Sequence, residues 1–73
     1  MKNPIKEQRE AKGIGRRELA QSAGVSYMTI ANIEQGLPKT MNFLTAFKLS
    51  TKLEKPAETL YQEYAEWREH LED

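Results

Sequence analysis

"GVSYMTIANIEQG", residues 24–36, opens on a glycine and closes on one. Ser26 is placed to cap a helix, and Ile30 and Ile33 recur on one face of that helix. Gly24 suits a turn that needs positive φ. Counted from Arg16, the order Leu19, Ala20, Gly24, Val25, Ile30, Ile33 has the spacing that a helix-turn-helix requires. Ala20 must be small because the next helix crosses close to it, and the three apolar residues after the turn lock that helix onto the body. The opposite face then holds Tyr27, Met28, Ala31, Asn32 and Gln35.

Working outward, Gly and Pro divide the chain into five helical segments with no repeat, linker or low-complexity run. The first is expected from about Pro4 to Lys12, with Gly13 as its stop. The second runs from about Arg16 to Ala23, entered through Gly15 with Glu18 at a capping position. The third covers Tyr27 to Gln35. Thr40 is expected to cap a fourth that reaches about Leu53, and Pro56 opens a fifth that continues to about residue 72. Helical spacing predicts a core of Ile5, Leu19, Ala20, Ala23, Val25, Ile30, Ile33, Phe43, Leu44, Phe47 and Leu53. The expected fold class is all-α: one compact five-helix domain over residues 1–73, its helix-turn-helix core at about 16–35 and its last helix extended.

Composition narrows the function. With 73 residues and no cysteine, packing alone must stabilise the chain. The charged, proline-bearing start is no signal peptide, and no apolar window is long enough for a membrane, so a soluble, cytoplasmic protein is expected. Net charge is zero but unevenly spread. Residues 1–55 hold ten Lys or Arg against five Glu, a balance of +5. Residues 56–73 hold Arg68 against five Glu and Asp73, a balance of −5. Such asymmetry points to a basic working face and an acidic appendage, or to a solvated tail helix.

"RRELAQSAGVSYMTIANIEQG", preceded by "REAKGIG" and followed by "FLTAFKLSTKL", resembles the Cro/C1-type (XRE-type) helix-turn-helix regulators, ungapped from about Ile5 to Tyr61. The resemblance implies a bundle like the phage lambda-repressor DNA-binding domain, with double-stranded DNA as partner. It places base-reading positions on Tyr27, Met28 and Asn32. Asn32 suits the bidentate contact with adenine, Met28 a thymine methyl, and no side chain supplies the Arg–guanine pair. It places phosphate contacts on Arg16, Arg17, Gln35, Lys39 and Asn42, although the family's usual Gln and Ser or Thr are here Arg16 and Gly15. Lys6 and Arg9 are further cations expected to face a duplex.

The tail carries a second pattern. Leu60, Tyr64, Trp67 and Leu71 recur at four, three and four residues, the spacing of an apolar seam. The seam either folds back on its own bundle or, as expected here for Trp67 and Leu71, buries against another chain. In the family the fifth helix often mediates dimerisation. His70 lies alone in the acidic tail, so no metal site is expected, and no cofactor either. The carboxylates read as surface groups and no nucleophile–base pair is found, so an enzyme is not expected.

These features leave two main readings. One is a small sequence-specific regulator, phage-derived and Cro-like in size, reading paired half-sites as a homodimer. The other is an antirepressor that keeps the helix-turn-helix frame but binds a partner repressor; the apolar reading face and acidic tail favour it. An antitoxin shares the frame, but no toxin-neutralising segment is identified.

Overall fold

The computed structural model describes residues 2–71. It holds five helices and no strand among the described residues: α1 Pro4–Ala11, α2 Arg16–Ala23, α3 Tyr27–Gln35, α4 Phe43–Leu53 and α5 Ala57–His70. The expected end of the last helix at residue 72 lies outside the described residues.

Local chemistry explains the boundaries. Asn3 caps α1 by accepting from the amides of Ile5 and Lys6, and its own amide donates to the Ile33 and Glu34 carbonyls. That one side chain ties the start of α1 to the end of α3. Gly24 ends α2 at φ 76°, in the left-handed region, and its N–H returns to the Ala20 carbonyl. Ser26 caps α3 through the Thr29 amide. The cap of α4 is Asn42, whose side chain accepts from Leu44 and Thr45, and not Thr40 as expected. Asn is a better cap than a threonine two residues upstream, and the chain takes it.

The interior is built from Ile5, Leu19, Ile30, Ile33, Met41, Ala46, Leu49, Leu53, Leu60, Tyr64 and Trp67. Ala23 and Val25 pack against its edge. Two expectations are corrected here. Phe43, Leu44 and Phe47 are 57, 61 and 61% exposed. Helix α4 has two apolar stripes, and the stripe of Ala46, Leu49 and Leu53 faces inward, leaving those three residues outside. Ala31, expected on the outer face of α3, is buried.

The tail is a further correction. Trp67 is 7% exposed and Tyr64 wholly buried, their rings 5.7 Å apart. The seam closes on its own bundle, and α5 lies against α4 and α1. Only Leu71 of the seam stays half exposed. Trp67 and Leu71 instead enclose Gly36: a Cβ there would come within 2.7 Å of Leu71 Cδ1 and about 3 Å of the Trp67 ring. Tyr64 Oη donates to the Pro38 carbonyl at 2.6 Å, and Arg68 Nε donates to the Gly36 carbonyl. Thus α5 holds the loop that follows α3.

Candidate nucleic-acid interface

Helix α3 presents its first turn to solvent. Tyr27 is 40% and Met28 63% exposed, while Asn32, one turn on, is half-buried. Ile30, Ala31, Ile33 and Glu34 hold the other side of the helix in the bundle. The buried face of α3 thus fixes which side chains point outward.

Arg16 and Arg17 flank this turn from the start of α2. The Arg17 guanidinium lies 5.1 Å above the Tyr27 ring, a cation–π arrangement. Arg16 Nε donates to Glu34 Oε1 at 3.0 Å. The neighbouring Tyr27 hydroxyl, and after it the Glu34 carboxylate, hold the Arg16 pKa above its ordinary value. Gly15, before α2, has no side chain to cap the helix, and no other side chain caps it. Lys6, Gly15, Arg16, Arg17 and Tyr27 line one groove with Arg9 and the carboxylate of Glu10.

Asn32 and Asn42 belong to a second cleft of about 450 Å³, shared with Thr29, Leu37, Thr40 and Thr45. The Asn42 side-chain oxygen is already engaged in capping α4. Gln35 is exposed. Lys39 is exposed but lines a different recess, beside Arg68 and Glu69 of α5. The structure thus unites Arg16, Arg17 and Tyr27, unites Asn32 with Asn42, and sets Lys39 apart.

Two readings of charge are revised. Glu34 is no surface carboxylate: its side chain is wholly buried and receives both Arg9 and Arg16. Arg9, expected to face a duplex, points inward, with Nε and Nη2 on Glu34 and Nη1 on the Ile14 carbonyl. Glu34 hydrogen bonding, opposed by burial, raises the Arg9 pKa. A residue that the sequence did not mark is Lys48, whose ammonium approaches the Gly24 carbonyl at the helix-turn-helix turn. No local signal could have paired Glu34 with Arg9 and Arg16, or Lys48 with Gly24, which lie 18 or more positions apart.

Among the described residues no helix is long and apolar enough to cross a membrane. A family model described as helix-turn-helix matches residues 5–60. Comparison with curated proteins and with solved structures gives no match.

Proposed function

The chain belongs to the Cro/C1-type helix-turn-helix family of DNA-binding transcription regulators, and from that premise we propose that α3 reads an operator half-site in the major groove. The observation that carries the reading is the groove at the start of α2. Its uncapped amides lie among Lys6, Arg16 and Arg17, beside the exposed first turn of α3. Phosphate bound there would seat Tyr27 and Met28 against base edges and methyl groups, with Asn32 the one bidentate reader. Gln35, Lys39 and Asn42 would touch the backbone further along. A gel shift on DNA flanking the chain's own gene, at graded salt, tests this. Expected is a specific complex that weakens as salt rises.

The antirepressor reading has one observation in its favour. Arg16 is tied to Glu34 and Arg17 lies on Tyr27, so the outer face of α3 offers Met28 and an aromatic ring before any uncommitted cation. Aromatic, Met and Arg groups are also what protein interfaces favour. Repeating the gel shift with the neighbouring regulator separates the two: an antirepressor removes that regulator's complex and forms none of its own.

A further inference from the structure

Glu34 stands in the last turn of α3 with its side chain wholly buried, yet one of its two cationic partners reaches solvent. Arg9 takes Oε2 through Nε at 2.7 Å and Oε1 through Nη2 at 3.1 Å, which fixes the plane of the carboxylate. Asn3 holds the backbone of the same turn through the Ile33 and Glu34 carbonyls. Oε1 then accepts one more bond, from Arg16 Nε at 3.0 Å. A guanidinium carries its N–H donors in a rigid fork. Glu34 uses the Nε donor of Arg16 and leaves the terminal nitrogens to the groove that Arg16 lines with Lys6, Arg9, Glu10, Arg17 and Tyr27.

Two guanidinium groups share one carboxylate, so the cluster keeps a positive charge in excess. The Arg9 side chain is 11% exposed and that of Arg16 34%, so an anion meets the excess at Arg16. Arg16 is the first residue of α2, on a helix end without a side-chain cap. Untied, so long a side chain would lose rotamer freedom on seizing a phosphate; the bond to Glu34 has already removed much of that freedom. Charge alone predicts the reverse, since a carboxylate near a polyanion's site lowers affinity. The two roles of Glu34 therefore differ in the sign of their effect on binding.

We propose that Glu34, out of reach of any duplex, is a positioning residue for DNA: it holds Arg16 by Nε so that the terminal nitrogens meet a backbone phosphate. The inference rests on the reading of α2 and α3 as a DNA interface, but on no particular operator, because phosphate contacts are independent of sequence. The test is fluorescence anisotropy of the full chain on a labelled mixed-sequence duplex at graded salt. Glu34→Gln should weaken binding by about tenfold and reduce the salt slope by about one, although it removes a negative charge. In an Arg16→Ala chain the same change should no longer weaken binding. Arg16→Lys keeps both the charge and the Arg9–Glu34 pair, so it decides the matter even where Glu34→Gln does not fold. It should bind nearly as weakly as Arg16→Ala, because a compact ammonium cannot span carboxylate and phosphate as the guanidinium fork does. Unchanged or tighter binding by Glu34→Gln overturns the proposal. So does its full loss persisting in the Arg16→Ala chain, or wild-type affinity in Arg16→Lys. A wild type that binds no duplex overturns the reading of DNA itself, and this proposal with it.

Discussion

Arg9 grips Glu34 with two hydrogen bonds, Nε to Oε2 at 2.7 Å and Nη2 to Oε1 at 3.1 Å, across 25 positions of sequence. The pair joins α1 to the end of α3, and Arg16 brings α2 to the same carboxylate. Three helices of the DNA-binding frame thus meet on one buried charge. Removing one partner of a buried pair strands the other, at about 3–5 kcal/mol. Arg9→Met leaves Glu34 with Arg16 alone, so it should destabilise the fold in urea unfolding, by less than a fully stranded charge would. The double variant Arg9→Met/Glu34→Leu should cost much less than the sum of the single changes. Additive losses would show that the pair is not a coupled unit.

The clasp of α5 on the loop after α3 should appear as a difference between two glycines. Gly24 and Gly36 share φ 76°, yet only Gly36 is enclosed by Trp67 and Leu71. Gly24→Ala should cost about 1–2 kcal/mol for the left-handed backbone alone. Gly36→Ala should cost more, and Leu71→Ala in the same chain should recover part of the excess. Equal losses at the two sites would mean that α5 yields freely.

Trp67→Ala should unfold or strongly destabilise the monomer, by about 3–5 kcal/mol, as removal of a core aromatic does. Thermal denaturation monitored by circular dichroism measures this. An unaltered melting temperature would return Trp67 to the surface role that its seam spacing had suggested.

Burial holds the Tyr64 pKa above its ordinary value of 10.0, against the opposing charge of Arg68. The buried hydroxyl is favoured neutral, so its stabilisation is whole below about pH 10. It is lost as pH rises through the folded-state value, because the unfolded chain ionises first. Tyr64→Phe should cost about 1 kcal/mol at neutral pH for the lost bond to Pro38. It should also flatten the alkaline fall in stability above about pH 10. A wild type and a variant with parallel alkaline profiles would contradict this.

On DNA, Asn32→Ala should cost about 1–3 kcal/mol and relax preference at one base pair. Arg17→Ala should weaken all sequences alike and reduce the salt slope by about one. Arg17 is the cleaner probe, since Arg16 also supports the fold through Glu34. Competition titrations against specific and random duplexes distinguish the two effects, and equal losses from Asn32→Ala on both would deny it a reading role.

The order of helices and the frame of α2 and α3 were legible in the sequence because their causes are local. A glycine that must turn left-handed, a serine that caps, and apolar residues at helical spacing act within a few positions of one another. Those causes placed α2 at Arg16–Ala23 and α3 at Tyr27–Gln35, and they put Tyr27 and Met28 outside. Which stripe of α4 turns inward could not be read there, since Phe43, Leu44 and Phe47 are as apolar as Leu49 and Leu53. That choice depends on the shape of the space left by Met41, Leu60 and Tyr64, which exists only when the helices are packed. The same holds for Glu34: a carboxylate is a surface group until two arginines from other helices arrive at it. Trp67 likewise stands on a seam that would suit a foreign chain or its own bundle equally well. Only the approach of Gly36, which leaves room for an indole where any side chain would intrude, decides that it closes inward.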